Sequence, residues 1–336
     1  MNLLVIKDNK PGHYNQSEGI ALSLQHLYNN LQVEYIEVEI KNKFMRTALK
    51  YILNYCKSFS ANKKNLKYLK YFFSKFSIPK NRPDLIISTG GNTANINAWF
   101  ANTYKTKNLF NGRLRGQKET LFTCITTVIP LGYKNEIVID VAPSIITKES
   151  LENGANTFSE KHNLDKNYYT LLIGGNGAGY EYDDDFYSTL IKFVKTIAQK
   201  DNVKWLITTS RRTPINIENT LQNELNEVCS YFVAYNSKPQ KVLTSFLGIS
   251  KKIFVTEDSS SMISEAITSR KAVFTIYNKE TKDKNYNKIL NKFEHHKKIK
   301  RIKLSEKVNL DINFNIPNEE YINLLALQIE KGLKNE

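Results

Sequence analysis

The chain has 336 residues, 41% apolar and 24% charged. This length suits about two domains of roughly 150 residues, and the composition excludes a mainly disordered or collagen-like chain. Lys and Arg number 48 against 33 Asp and Glu, for a formal charge of +15, which calls for an anionic partner such as nucleic acid, phospholipid or nucleotide without choosing among them.

Leu3-Leu4-Val5-Ile6 reads as a first strand. It is too short for a signal peptide, and no later run approaches the ~20 apolar residues that cross a bilayer. The loop Asp8-Asn9-Lys10-Pro11-Gly12-His13-Tyr14-Asn15-Gln16 follows, and Gln16–Leu24 reads as a helix. Ligands collect at the carboxyl ends of parallel strands, so this loop is placed to meet a substrate. His13 is a candidate base toward a hydroxyl, because an unperturbed imidazole pKa of ~6.5 suits that task at neutral pH. Asp8 either orients it or serves instead. The plainer reading of His13 is an exposed loop histidine.

Residues 41–82 carry ten Lys and two Arg, no Asp or Glu, and nine Phe or Tyr. At 100° per residue Lys43, Arg46, Lys50 and Lys57 fall on one face of a helix, opposite Phe44, Met45, Leu49, Tyr51, Leu53, Tyr55 and Phe59. A second amphipathic helix is suggested by Leu66, Leu69, Phe72, Phe73 and Phe76. Two ordinary packed helices account for the pattern, but so does a surface that docks on anionic lipid, where each basic residue contributes about 1 kcal/mol. Nucleic acid is the weaker candidate, since no helix-turn-helix, RNA-recognition or finger signature accompanies the charge.

Further apolar runs are Leu85-Ile86-Ile87, leading into Ser88-Thr89-Gly90-Gly91, then Leu121–Val128 and Ile137–Val141. Polar sequence at 155–167 marks the expected divide between two halves. A second series runs through Tyr169–Ile173, Trp205–Thr208, Tyr231–Ala234, Ile253–Val255 and Ala272–Ile276. Short apolar strands alternating with helical stretches are the pattern of parallel α/β units, so two tandem nucleotide-fold halves are the expected class. A final helix is expected over Glu319–Leu333, after Pro317 and Asn318.

Three strand ends of the second half carry anion-binding chemistry. Gly174, Gly175, Asn176 and Gly177 open a Gly-rich loop whose backbone N–H groups can approach a phosphate, although it matches neither a P-loop nor GxGxxG. Ser210-Arg211-Arg212-Thr213-Pro214 offers a hydroxyl and permanently charged planar donors. Ser259, Ser260 and Ser261 resemble the capped start of a helix, with Glu265 a turn further on as the acceptor for ribose hydroxyls. Tyr235, after the neighbouring strand, joins this donor-side set. Asp183-Asp184-Asp185 precedes a helix and reads as its cap rather than a metal site. His295-His296 lacks ligand spacing. Cys56, Cys124 and Cys229 stand apart with no CxxC, so no disulfide framework or zinc module is expected and a reducing compartment fits.

The segments Asp8…Pro11-Gly12-His13…Asn15-Gln16, Pro83–Ile87 with Gly90-Gly91, Leu172–Gly175, Thr208–Pro214 and Val255–Ala266 together resemble the mitochondrial-fission "elongated mitochondria" family. The resemblance spans about residues 3–276, and TSRRTP and DSSSMISEA are its most specific pieces. It implies an α/β GT-B-like fold, two Rossmann-like domains facing across a cleft. On that layout residues 1–160 form the acceptor-side domain, with 41–82 as a basic insertion, and 165–312 bind the nucleotide-sugar. Residues 317–334 form a helix able to pack back on the first domain.

The resemblance further implies a metal-independent glycosyltransferase with no cofactor. Ser210, Arg211, Ser259, Ser260 and Ser261 then take the phosphates, Glu265 the ribose, and Gly12, Gln16, Gly90, Gly91 and Asn92 the acceptor side, beside His13 and Asp8. The expected substrates are a nucleotide-sugar, of UDP or CMP type, and a lipid-linked or cell-surface glycan acceptor. The expected location is cytoplasmic, peripheral on the membrane's inner face through Lys43, Arg46, Lys50 and Lys57. The alternative is a non-catalytic adaptor that recruits a partner protein to a membrane.

Overall fold

The computed structural model describes residues 1–164, 167–306 and 308–334. The chain divides into two α/β units: Met1–Ile145 together with the segment from Tyr321, and Ile146–Glu320. In chain order the first unit has β1 (Asn2–Lys7), α1 (Pro11–Leu27), β2 (Gln32–Glu37), β3 (Glu39–Ile40), α2 (Lys43–Tyr55), α3 (Lys57–Ala61), α4 (Leu69–Phe72), β4 (Phe73–Lys75), β5 (Leu85–Thr89), α5 (Ala94–Tyr104), β6 (Lys107–Asn111), β7 (Cys124–Thr127) and β8 (Glu136–Val138). The second has α6 (Lys148–His162), β9 (Tyr168–Leu172), α7 (Asp184–Asp201), β10 (Lys204–Thr208), α8 (Ile215–Glu224), β11 (Cys229–Val233), α9 (Leu243–Ile249), β12 (Lys252–Thr256), α10 (Ser260–Thr268), β13 (Ala272–Tyr277), α11 (Lys284–His295) and β14 (Lys300–Lys303). The chain then returns to the first unit as α12 (Tyr321–Lys334).

Each unit is built on one parallel six-stranded sheet, ordered β2-β1-β5-β6-β7-β8 in the first and β11-β10-β9-β12-β13-β14 in the second. β5 and β9 bury every residue, as strands covered on both faces must, which is why they appear in the sequence as unbroken apolar runs. Alternation sends Leu4 and Ile6 to a core with Leu49, Leu53, Trp99 and Phe110. Leu3 and Val5 go to the opposite core with Ile20, Leu24, Leu325 and Ile329.

Several expectations need correction. The divide falls at Ile145/Ile146 and not within 155–167. α6 occupies most of that polar stretch, started by a reciprocal cap in which Thr147 Oγ1 accepts from the Ser150 N–H at 3.1 Å. It packs closely on α9, where a Cβ on Gly248 would lie 2.3 Å from the Leu151 carbonyl oxygen. The expected start of the second domain at 165 lies outside the described residues, and the unit runs to Glu320 and not to 312. The loop after β1 is also shorter than expected. α1 begins at Pro11, whose fixed φ and missing N–H suit a first helical position, so Gly12, His13 and Gln16 are helical.

The basic segment is not two continuous amphipathic helices. α2 ends at Tyr55, Cys56 breaks the backbone, and short helical turns lead to β4, which pairs with β3 in a two-stranded antiparallel ribbon. α2 buries Leu49 and Leu53, while Phe44, Tyr51 and Tyr55 are 73%, 57% and 70% exposed. Arg46 and Lys50 do not stand on an outward cationic face: Arg46 Nη1 donates to Asn92 Oδ1 at 3.1 Å, and Lys50 Nζ to the Arg115 carbonyl at 3.3 Å. At α7, Asp183 accepts from the Phe186 N–H at 2.9 Å and so caps the helix.

Candidate functional site

In the second sheet β9 lies between β10 and β12, and the registers pair Leu172 with both Thr208 and Val255. The three carboxyl ends are therefore level, and the Gly-rich loop, the Ser210–Pro214 turn and the start of α10 emerge side by side. Hydrogen bonds knit them together. The Gly174 N–H donates to Thr256 Oγ1 at 2.7 Å and the Gly175 N–H to Asp258 Oδ2 at 3.0 Å. Thr256 Oγ1 donates to Asp258 Oδ1 at 2.6 Å, and Thr213 Oγ1 donates to the Gly174 carbonyl. Arg212 Nη2 forms an ion pair with Asp258 Oδ2.

The glycines are required by this closeness. A Cβ on Gly174 would lie 2.0 Å from Asp258 Oδ2, and one on Gly175 would lie 2.2 Å from the Arg212 carbonyl oxygen. Asp258 itself is buried, and that burial raises its carboxyl pKa against the opposing pull of Arg212, Thr256 and the Gly175 N–H. Burial and the nearby Asp258 together push the Tyr187 hydroxyl up to about 12.

A second network braces the turn from its far side. Buried Glu218 accepts from Thr209 Oγ1 and from the Asn236 N–H at 3.1 Å, and the Tyr235 N–H donates to Thr209 Oγ1 at 2.8 Å. Beneath α10, buried Glu257 accepts from Arg301 at 2.8 and 2.9 Å, from Thr275 Oγ1 at 2.7 Å and from Tyr180. Satisfied buried networks of this kind hold loops rigid. Ser259 Oγ and Ser261 Oγ lie 3.3 Å apart, and no side chain caps α10. Glu265 is buried on the same helix.

The Gly-rich loop, the Ser210–Pro214 turn and the Ser259–Ser261 start of α10 are thus brought to neighbouring strand ends, with one change of emphasis. Arg211 is exposed, and Arg212 is the arginine built into the cradle. Thr256 and Glu218 are further members that the sequence pattern does not single out. The signal for Arg212 and Asp258 was present as opposite charges inside the two most distinctive motifs.

In the first unit the carboxyl ends of β1 and β5, also neighbours, carry the other set. Asp8 is buried, with Oδ2 2.9 Å from His13 Nδ1 and 3.2 Å from Asn92 Nδ2, while Oδ1 accepts from the Lys10 N–H. His13 lies against Gly90, whose φ of +87° and absent side chain make the room: a Cβ there would be 2.3 Å from His13 Nδ1. Gln16 Oε1 accepts from Asn111 Nδ2 at 2.7 Å. Asp8, His13, Gly90 and Asn92 thus form one cluster, with Arg46 joined to it through Asn92.

Residues 11–315 match the family model described as Mitochondrial fission ELM1. The chain belongs to this family. Among curated proteins, this ELM1-family chain is 20% identical to the uncharacterized protein RP120 of Rickettsia prowazekii (strain Madrid E) over 314 residues, covering 82% of this chain and 83% of that protein. Among solved structures, the UDP-GlcNAc 2-epimerase of Methanocaldococcus jannaschii is similar at a TM-score of 0.60 and 11% identity, covering 100% of both chains. The ADP-heptose LPS heptosyltransferase II of E. coli is similar at a TM-score of 0.50 and 13% identity, covering 99% of this chain and 98% of that one. The ELM1-family chain thus has the GT-B-like fold, with two Rossmann-like units, found in sugar-nucleotide epimerases and glycosyltransferases.

Proposed function

We propose that this protein is a glycosyltransferase that moves a sugar from a nucleotide-sugar to a lipid-linked or cell-surface glycan acceptor at the cytoplasmic face of a membrane. The observation that carries the reading is the cradle at three adjacent strand ends: the Gly174 and Gly175 amides are spent on Thr256 and Asp258 and fix the turn, which leaves the uncapped N–H groups at the start of α10, the Ser259–Ser261 hydroxyls and the Arg212 guanidinium as donors. Such preorganised donors suit the phosphates of a leaving nucleotide, where they supply much of the catalytic effect. The names of both solved neighbours include a sugar nucleotide, which supports the same substrate class.

On this reading Ser210, Arg212, Ser259, Ser260 and Ser261 meet the phosphates, Arg211 lies at the edge, and Glu265 takes the ribose. Gly12, Gln16, Gly90 and Gly91 line the acceptor side. Asp8 accepts the Nδ1 proton of His13, which leaves Nε2 to take a proton from the acceptor hydroxyl, the tautomer logic of an oriented general base. No step of this scheme calls for a metal ion.

Calorimetric titration with UDP, ADP and CMP tests the reading. One of them is expected to bind, and Glu265→Ala to weaken it about 10-fold through loss of hydrogen bonds to a charged acceptor. Failure of all three to bind the wild type would return the protein to the adaptor reading. The same cradle also suits a nucleotide-sugar epimerase, and turnover without any added acceptor would favour that enzyme.

Membrane attachment is supported by the exposed Phe44, Tyr51 and Tyr55 on α2, with Lys43 and Lys57 exposed at its ends. Aromatic side chains inserted at the interface beside lysines give reversible binding to anionic bilayers. Sedimentation with phosphatidylglycerol vesicles is expected, and replacement of the three aromatics by serine is expected to abolish it. Equal sedimentation of wild type and variant would dispose of the attachment.

A further inference from the structure

A concentration of positive charge lies in the first unit. Between Lys41 and Lys118 the only carboxylate is Asp84. This stretch folds so that α2 packs on the loop after β6. Besides the Lys50 contact, Asn54 Nδ2 donates to the Gly116 carbonyl at 3.0 Å and the Lys118 N–H to Asn54 Oδ1 at 3.0 Å. Arg46 from the helix and Arg115 from the loop are thereby brought to the same turn, Gly90-Gly91-Asn92. Arg46 reaches Asn92, and the Arg115 stem passes 3.8 Å from where a Cβ on Gly91 would stand.

The electrostatics of this corner are unbalanced. Arg46 is bonded to a neutral amide, and neither Arg46 nor Arg115 meets a carboxylate among the described residues. Asp8, the acid that shares Asn92 with Arg46, already accepts from His13, Asn92 and the Lys10 N–H. Two guanidiniums beside Gly91 suit an oxyanion with several charged oxygens, because planar donors can grip it while the bare backbone at Gly91 lets it approach.

We propose that Arg46, Arg115 and the Gly90-Gly91-Asn92 turn form a phosphate-binding subsite, and that the acceptor is a phosphate- or diphosphate-bearing molecule gripped there with its hydroxyl toward His13. The word acceptor rests on the transferase reading. The anion site does not.

The test is binding of inorganic pyrophosphate and of farnesyl diphosphate to the full chain, in the wild type, Arg46→Gln, Arg46→Lys, Arg115→Gln and the double glutamine variant. Each glutamine change is expected to weaken binding roughly 10-fold, the double variant to lose the component sensitive to either, and Arg46→Lys to recover part of it. Arg115 is exposed, so Arg115→Gln is expected to keep the wild-type melting curve and to read the site even if Arg46→Gln folds poorly. Tighter binding of farnesyl diphosphate than of pyrophosphate identifies a lipid carrier, and equal binding a soluble phosphorylated acceptor; either outcome supports the subsite. Affinity for both diphosphates unchanged by Arg46→Gln and Arg115→Gln, or no binding by the wild type, overturns it. Nucleotide titration of the same proteins separates the two readings: a wild type that binds no nucleotide yet holds diphosphate through Arg46 and Arg115 keeps the anion site while the transferase reading falls.

Discussion

Asp258→Ala is expected to lower unfolding stability by about 3 kcal/mol and nucleotide affinity by at least roughly 10-fold. Asp258 is fully buried and accepts hydrogen bonds from three partners, Thr256 on its own segment and the Gly175 N–H and Arg212 on two others. Removing one member of a buried pair leaves its partners without compensation, which generally costs about 3–5 kcal/mol. Arg212 keeps a third of its side chain in solvent, so the lower end applies.

Two effects on binding oppose each other. Loss of a negative charge near the phosphates favours the ligand, whereas loss of the anchor frees Arg212 and the Gly-rich loop to move. The second is expected to win, because one side chain holds all three segments. A double-mutant cycle with Arg212→Gln, read by urea unfolding and by calorimetry, should show coupling on the order of 1–3 kcal/mol. Additive losses would mean that the ion pair presents nothing. A rise in affinity in Asp258→Ala would mean that Asp258 competes with phosphate for Arg212.

His13→Ala and Asp8→Asn are expected to reduce kcat by roughly 10²–10⁴, the usual range for a lost general base. Asp8 touches the ring at Nδ1 and the Asn92 amide, so Asp8→Asn chiefly removes orientation and charge support from the imidazole. Neither residue belongs to the unit that carries the Arg212–Asp258 cradle. Donor affinity should therefore stay at the wild-type value while turnover falls. Equal losses in donor binding and in turnover would point to general unfolding, and unchanged turnover would remove His13 from the chemistry.

How much of this was legible before the coordinates varies with the physics of each segment. β1, β5, β9, β10, β12 and β13 are buried apolar runs and stand out. β6, Lys107–Asn111, does not, because Asn108 and Asn111 are buried there as hydrogen-bonding residues: Asn108 Nδ2 donates to Asn97 Oδ1 at 2.7 Å, and Asn111 reaches Gln16. β2 and β14 are edge strands whose exposed polar and charged residues mask their period. The divide was misplaced because α6 is mostly polar: Leu151 is buried, and Phe158, packed on Tyr231 and Phe246, ties the helix to the second unit's core.

The second unit's motifs were readable as motifs, since glycines at a strand end imply close backbone approach, adjacent arginines guanidinium donors, and a serine run a helix start. Which of Arg211 and Arg212 turns inward depends on Asp258, a partner 46 positions away from Arg212, and no local period encodes that. The helical wheel of α2 failed for a related reason. Leu49 and Leu53 are buried as the wheel expects, but Arg46 and Lys50 find acceptors on loops from elsewhere in the chain, and Phe44, Tyr51 and Tyr55 stay exposed.

The return of α12 to the first unit has a consequence for synthesis. Leu325 and Ile329 complete the core that contains Leu3, Val5, Ile20 and Leu24, so the layer laid down first on the ribosome stays open until α12 emerges. At ordinary translation speeds, residues 146–320 take roughly 10–30 s to be made. During that interval the nascent first unit keeps the apolar flank formed by Leu3, Val5, Ile20 and Leu24 uncovered on the side that α12 closes.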